Sequence, residues 1–540
     1  MDPVTQHRIS QSPGIPRPSP TRSYWPVPPS NISQWGAQDV LPEKADIVII
    51  GSGITGASIA RTLLRELGEN SSDVRIVMLE AREVCSGATA RMVRLLSATN
   101  LLKKVSDRVE NRYHQYPELV KTYGKETAHE IIKFQVSHVH KLLSIAEEDG
   151  LLEDSQCRLT DSFDAYVDRT RFEIARENYT EYRKEEELSS LHQVTRLYED
   201  KEQLQALQLS SSFSGVIGTV FGTMHAYRFV TGILSRLLKS HTAKFDSIPF
   251  KQASKKTSST YVIETPKGTI RSAHIVHATN AWTSHLLPGF RRKIVPLRGE
   301  MTSQRPGTGL GFGQIPPSLS TTPSSSSNWQ GSRTFIFYTG GKDGIFDYLT
   351  QQMQPCKVSS ASKYPLPRTE LMFGGGLAFN PELFCAQLGN TDDTQSIPEL
   401  STYLSSVLPC YFGENWGDDA ESSEEDDRLN WGKGRTKASW SGLIGLSADS
   451  NPWVGRVPAS LAEGRKLEVD KSQAGLADAG EWVCGGYSGE GMVNAWKCGA
   501  ALAHMILGRC ECPEWLPEPY TVSLERHAKA KLDDVLQSYI

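Results

Sequence analysis

Long hydrophobic runs are missing from this chain: no apolar stretch approaches the roughly 20 residues that a membrane-spanning helix needs. A surplus of either charge is missing as well. Lys and Arg number 58 against 62 Asp and Glu, the net charge is -4 and the pI is near 6.4. There is no basic field for nucleic acid or an anionic membrane, so a small-molecule partner is expected. Cysteine is sparse and scattered; nine residues, an odd number, argue against a disulfide framework. Cys510 and Cys512 form a CxC without a second ligand pair, so no metal site is expected there. The opening MDPVTQHRIS has no apolar signal core and the final QSYI is not a peroxisomal address, from which a cytoplasmic location is expected.

What the chain does have begins at residues 45–80, ADIVIIGSGITGASIARTLLRELGENSSDVRIVMLE. The β-branched run at 47–50 has the length and character of a buried parallel strand. It enters Gly51, Gly53 and Gly56, a GxGxxG in which the first glycine makes the turn, the second admits a pyrophosphate to the backbone and the third lets helix and strand pack closely. An anion at the following helix N-terminus gains about 0.3–1 kcal/mol from the helix dipole at an exposed end. Ile59, Leu63, Leu64 and Leu67 share one face of the predicted helix 54–67, with Gly68 as its C-cap. A second strand, 74–79, ends at Glu80, whose carboxylate can accept ribose hydroxyls and repel a 2′-phosphate. Strand, helix, strand and terminal acid at this spacing predict dinucleotide binding; FAD and NAD are not separated by it.

With 540 residues there is room for two to four domains. Residues 1–40, rich in Pro and Ser but containing Trp25 and Trp35, read as an extended arm lying on the body of the protein. Helix is predicted over 101–150, 171–207 and 227–238, and paired strands at 261–265 and 269–278 around the turn Pro266, Lys267, Gly268. Residues 307–330 and the acidic cluster 418–427 read as surface insertions without chemistry. Strands at 334–338 and 371–373 predict a second sheet that is not nucleotide-binding. Near the end, EWVCGGYSGEGM predicts a strand running into another glycine-rich turn before an apolar helix at 493–507. A second strand-to-helix turn is what an extended cofactor needs at its other end, and its N–H groups could stabilise charge on a reduced flavin.

In IIGSGITGASIA, LEAREVCSGAT, VHATNAW, VPLRGEM, MFGGG, the block 440–458 and GYSGEGMVNAWKCG, the chain resembles the FAD-dependent oxidoreductases of the D-amino acid oxidase, glycine oxidase and sarcosine oxidase family, most of all a fungal-type subgroup. The resemblance covers nearly everything after residue 40. It implies an α/β plus α+β fold: a glutathione-reductase-like FAD-binding Rossmann domain with a second, mostly antiparallel-sheet substrate domain. The expected segments are the arm (1–40), FAD-binding segments at 41–110, 215–295 and 440–510, a helical and substrate segment at 111–214, a substrate segment at 296–439, and a C-terminal extension (511–540).

By the same resemblance, Gly51, Ser52, Gly53, Ile54, Thr55 and Gly56 would cradle the pyrophosphate, and Glu80, with Ala81 and Arg82 beside it, would hold the adenosine ribose. Ser86, Gly87, Ala88 and Thr89 would pass the pyrophosphate and flavin, Phe250 would clamp adenine, Ala278 would lie under the cofactor, and Gly489, Gly491 and Met492 would face the flavin pyrimidine. The implied FAD is non-covalent, since no cysteine attachment motif is found. The implied reaction oxidises a C–N bond of a small amine or amino acid, with hydride passing to flavin N5 and O2 as reoxidant. Candidates on the substrate side are Tyr227, Arg228, Arg298, Tyr338, Tyr348, Lys433 and Trp440. Arg298 could pair with a carboxylate, although a structural ion pair is the commoner use of such a residue.

Two departures stand out. Such proteins commonly continue Gly-Arg-Asn-Gly-Gly-His after CSGAT, where this chain has Ala90, Arg91, Met92, Val93 and Arg94, and a charge beside the flavin is expected. Glu490 replaces a frequent His and would oppose a developing anion. A catalytically degraded flavoprotein or non-enzymatic binder therefore stays open as an alternative, as does an NAD-dependent dehydrogenase using the first turn alone.

Overall fold

The strand Lys44–Ile50 is buried from Ile47 onward because it is covered on both edges. It pairs in parallel with Ile76–Glu80 on one side and with Gly268–His277 on the other. A strand that spends both faces and both edges in the interior has no use for polar alternation, which accounts for its continuous apolar run. The computed structural model describes the chain except residues 38, 69–73, 92–111, 189–194, 241–244, 250–253, 257–259, 312–331, 341–344, 354–363, 464, 466–474, 511 and 538–540. Around the central strand, the first sheet runs in the order 453–456, 480–485, 268–277, 44–50, 76–80, 245–249, and the hairpin strand Tyr261–Thr265 returns antiparallel onto Gly268–His277.

Helix Ile54–Leu67 buries Ile54, Ala57, Ile59, Ala60, Leu63 and Leu64, and Gly68 ends it at φ +63°. It packs against helix Ala495–Ile506, with the Ser58 hydroxyl donating to the Trp496 carbonyl at 2.5 Å. A Cβ at Gly499 would come within 2.9 Å of Ser58, so a small residue is needed for that approach. Residues 54–67 and 495–506, more than 400 positions apart, thus form one layer beside the sheet.

The second sheet runs 436–447, 294–304, 371–374, 347–351, 333–338, 158–166, 215–223, 196–198, antiparallel throughout except where Arg333–Tyr338 lies parallel to Arg158–Tyr166. Its side chains alternate by the period of two that a strand imposes. Phe335 and Phe337 face one apolar cluster with helix Pro398–Phe412, while Ile336 and Tyr338 face the large cluster shared with the first sheet's helices.

Several expectations need correction. The strand Gly215–Thr223 belongs to the second sheet, pairing with Arg158–Tyr166 and Arg196–Tyr198, so the chain returns to the first sheet after 223 and not at 215. Thr436–Ser447 likewise pairs along Ile294–Gln304, which moves the last crossing past 447. The helix expected over 171–207 is broken: Arg169–Tyr182 and Lys201–Ala206 are helical, but Arg196–Tyr198 adds an edge strand. The arm opens with a short helix, Pro3–Ser10, capped by Asp2.

The acidic cluster 418–427 does not lie wholly at the surface. Asp426 is buried and pairs with the Lys437 ammonium at 2.6 Å and with the Arg305 guanidinium at 2.8 Å, whose Nε donates to Oδ2 at 3.1 Å, while Lys437 also donates to Glu370 at 3.0 Å. Burial alone would raise the Asp426 pKa, but the Lys437 ammonium, the Ser423 N–H and Arg305 outweigh it and hold the carboxyl well below its usual range. Among the described residues no helix is long and apolar enough to cross a membrane.

Asp347 shows the opposite balance. It is fully buried in the second sheet, where the Tyr403 and Tyr411 hydroxyls donate to Oδ2 at 2.6 and 2.5 Å and the Gly376 N–H donates to Oδ1 at 2.8 Å. Burial outweighs these three donors and pushes its pKa up to about 6. A carboxyl raised above its unfolded value, about 3.9, contributes stability that is complete below pH 4 and lost as pH rises through 6, about 3 kcal/mol at most. The urea midpoint of wild type should therefore fall relative to that of Asp347→Asn between pH 4.5 and 7.5. A pH-independent gap between the two proteins would refute this.

Candidate active site

The site starts at the end of the central strand. Gly51 has φ +108° and donates its N–H to the Leu79 carbonyl at 2.8 Å; a Cβ there would lie 2.5 Å from the Ala278 carbonyl oxygen. Gly56 is needed for contact and not for conformation, since its Cβ would fall 2.0 Å from the Gly51 oxygen. Gly53, the helix N-cap, is different again: a Cβ would meet only Thr89 Oγ1, at 3.1 Å, so its backbone lies bare. Thr89 Oγ1 also accepts from the Ile54 N–H at 3.1 Å, tying the loop 85–91 to the first helical turn.

Glu80 stands at the end of the second strand with both oxygens in use. Oε2 accepts from the Ser52 N–H (3.0 Å) and hydroxyl (2.5 Å), and Oε1 from the Ala81 (2.8 Å) and Arg82 (3.2 Å) N–H groups. A carboxylate has about four lone-pair sites, all engaged here, so ribose hydroxyls would have to take over from the Ser52 hydroxyl. That hydroxyl itself accepts from the Cys85 N–H at 2.8 Å.

Two later turns complete the site. Ala278 donates its N–H to the Ile50 carbonyl, and Asn280, at φ +43°, accepts the Gly486 N–H on Oδ1 at 3.0 Å. Within the final turn, the Ser488 N–H reaches the Gly445 carbonyl and its Oγ accepts the Ser447 N–H at 3.0 Å. Tyr487 bridges the first and last turns: its hydroxyl lies 2.8 Å from Thr55 Oγ1 and 3.2 Å from Cys484 Sγ. Burial pushes the Tyr487 pKa far up, so it stays a neutral phenol. Tyr487→Phe leaves Thr55 without this partner and is expected to cost about 1 kcal/mol and to weaken FAD binding about fivefold. Urea denaturation and fluorescence titration of apoprotein measure the two effects.

These turns surround one elongated cavity of about 1490 Å³ of empty space, mouth included. Gly51, Ser52, Gly53, Ile54, Thr55, Glu80, Ala81, Arg82, Gly87, Ala88, Thr89, Ala278, Gly489, Gly491 and Met492 all border it. Gly56 and Ser86 do not border it. Phe250 lies outside the described residues.

The substrate candidates do not border the cavity. Tyr227 accepts the Ser30 N–H of the arm at 3.0 Å, and Arg228 lies over Tyr364. Arg298 is committed to Gln387 Oε1 (2.8 Å) and the Asp392 carbonyl (2.6 Å), a structural use. Tyr338 stacks on Tyr166 at 4.6 Å, Tyr348 packs near Phe346, Trp440 donates to the Arg91 carbonyl at 2.6 Å, and Lys433 is exposed.

Both departures look different in three dimensions. Glu490 does not border the cavity; it is buried behind the turn, accepting from Gln115 at 3.0 Å and Gln135 at 3.3 Å. Arg91 does border the cavity, but its Nε donates to the Ser441 carbonyl at 2.9 Å, its Nη2 to the Thr21 carbonyl and hydroxyl, and Asp393 lies 3.8 Å away. Burial pushes its pKa down to about 10, still charged at neutral pH. Met92, Val93 and Arg94 lie outside the described residues.

Sequence reasoning missed Asn280, Tyr487, Asp393 and the contribution of Gly14, Ile15 and Pro16 to the cavity wall. Asn280 and Tyr487 sat inside motifs that were recognised; Asp393 and the arm carried no local signal.

A glycine turn leading into a helix N-terminus, a terminal acid at the second strand and a second glycine turn at the far end define a class, the dinucleotide-binding oxidoreductases. Residues 46–505 match the family model described as DAO, FAD dependent oxidoreductase, and the chain belongs to that family. Its cofactor is FAD, and the open backbone at Gly53 and the cavity's reach to Met492 fit that group. No curated protein matches the sequence. Among solved structures, glycine oxidase from Geobacillus kaustophilus is similar at 15% identity and TM-score 0.55, covering 89% of this chain and 99% of its own. L-proline dehydrogenase from P. horikoshii has 16% identity and TM-score 0.54, with 89% and 97% covered. L-amino acid deaminase from Proteus myxofaciens, in complex with anthranilate, has 12% identity and TM-score 0.54, with 95% and 97% covered.

Proposed function

We propose that this FAD-dependent oxidoreductase oxidises a C–N bond of a small amine or amino acid, with O2 as reoxidant. The observation that carries the reading is a cavity bordered both by residues 51–55 and by Tyr487, Gly489, Gly491 and Met492. The similar structures named for glycine oxidase, proline dehydrogenase and amino acid deaminase support the substrate class.

FAD, when bound, supplies the hydride acceptor, and the imine product hydrolyses in water. The chain's own part is to hold and orient. The N-terminus of helix Ile54–Leu67 and the Gly53 backbone would hold the pyrophosphate, Glu80 the ribose, and Gly489, Gly491 and Met492 the pyrimidine edge. Leu443 and Ile444 give the wall an apolar stretch that excludes water. None of the described cysteines borders the cavity, which supports a non-covalent flavin. A cytoplasmic location is part of the same reading.

The test is the visible spectrum of purified protein before and after acid precipitation, followed by anaerobic addition of amines and amino acids. A yellow protein that releases its flavin into the supernatant and bleaches with one of them is expected. A colourless protein that takes up no FAD would sink the proposal; a yellow one that no amine bleaches would favour the degraded flavoprotein.

A further inference from the structure

The arm upstream of the nucleotide-binding strand is fastened along the cavity. Ser12 Oγ lies 2.8 Å from His285 Nδ1, and Gly14, Ile15 and Pro16 then border the cavity itself. Beyond them Arg17 pairs with Asp392 at 2.8 Å. Thr21 donates its N–H to the Asp393 carbonyl at 2.7 Å, and its Oγ1 accepts from the Ser441 N–H and Arg91 Nη2, both at 2.9 Å. The Ser23 hydroxyl donates to the Ala90 carbonyl at 2.6 Å, and Trp25, 2% exposed, stands edge-on to Trp440 and His225. The arm therefore braces the loop 85–91 from outside while forming part of the wall itself.

Asp393 is the polar group at this junction. It is 1% exposed and borders the cavity, and its Oδ2 accepts from Arg82 Nη1 at 2.8 Å. Its Oδ1 is buried with no hydrogen-bond partner among the described residues. A buried acceptor left unpaired is costly, so a donor is to be expected there when the site is filled. The surroundings select the donor. Arg82 donates to this carboxylate and Arg91 lies 3.8 Å from it, so its charge is already matched, and a neutral hydroxyl completes its hydrogen bonding without adding a further cation.

We propose that the arm and Asp393 form a cofactor-retaining wall: Gly14, Ile15 and Pro16 close the cavity, and Asp393 Oδ1 accepts a hydrogen bond from a hydroxyl of the bound dinucleotide. This rests on FAD occupying the cavity. It makes FAD affinity depend on a segment outside the Rossmann unit, and it couples arm order to cofactor loading.

The test uses the full chain as apoprotein, with added FAD. Backbone hydrogen exchange over residues 12–25 should slow at least tenfold on FAD binding, while exchange in helix Leu524–Lys529 stays unchanged. Ile15→Asp, at a residue 39% exposed and tolerant of a polar side chain, and Asp393→Ala should each raise the FAD dissociation constant at least tenfold by fluorescence titration. The exchange experiment is done on wild type, so it stands even if a variant folds poorly. Tight FAD binding by wild type with unchanged exchange over 12–25, and both variants within twofold, would overturn the wall and leave the proposed function intact. Failure of wild type to bind FAD would overturn both.

Discussion

Gly56→Ala is expected to yield a colourless and destabilised protein, whereas Gly53→Ala should be equally colourless but nearly as stable as wild type. The contrast follows from what each new methyl meets. At Gly56 it would sit 2.0 Å from the Gly51 carbonyl oxygen, a backbone atom that cannot step aside unless the helix Ile54–Leu67 withdraws from the strand. Overpacking of this kind costs roughly 3 kcal/mol or more, and it also moves the turn proposed to hold the pyrophosphate. At Gly53 the methyl meets only Thr89 Oγ1, so folding should lose less than about 1 kcal/mol. The methyl nevertheless occupies the bare backbone where a phosphate would approach, and FAD affinity should fall at least about a hundredfold, close to 3 kcal/mol. Flavin content on purification, FAD titration of the apoproteins and urea midpoints check both halves. Normal flavin content in Gly53→Ala would remove the pyrophosphate from that position.

Lys437→Met is the second large effect, and it belongs to stability alone. Lys437 lies buried between Glu370 at 3.0 Å and Asp426 at 2.6 Å, with Arg305 closing the network on Asp426. Removing the cation leaves Glu370 without it and Asp426 with Arg305 and the Ser423 N–H, and breaking a buried pair in this way costs about 3–5 kcal/mol. The pH dependence has a definite sign. The depressed pKa of Asp426 means that its contribution is present above the unfolded value, about 3.9, and is lost as pH falls toward the folded one. The gap in urea midpoint between wild type and Lys437→Met should therefore be widest near neutrality and narrow toward pH 3. A gap that widens on acidification would contradict the network as described.

How much of this was legible in the sequence differs from element to element. Local features were readable because their causes are local. A strand that ends at a glycine with positive φ, a helix that starts on a glycine N-cap and an acid at the next strand's end all lie within 36 consecutive residues. The hairpin at 261–277 and the helix after the 486–492 turn were readable for the same reason. The substrate-side residues were not. Arg298, Tyr227 and Trp440 are the types that binding sites use, but a residue type does not say which neighbour claims it. Gln387, Ser30 and Arg91, all distant in sequence, hold those three. Strand membership failed at 215–223 because strands of either sheet have the same alternation; only the partner decides.

The sequence by itself determined that this protein has a glycine turn of the dinucleotide-binding kind and a second glycine turn far along the chain, because backbone conformation at those glycines depends on residues next to them. Tertiary structure alone decided what surrounds the cavity. It turned Glu490 away from the cavity into the company of Gln115 and Gln135, matched the Arg91 charge with Asp393 and the Thr21 and Ser441 carbonyls, and brought the first 25 residues alongside a loop at 85–91. Each of those outcomes is set by contacts between segments that share no local pattern, and burial of charge is resolved only when the partners are in place.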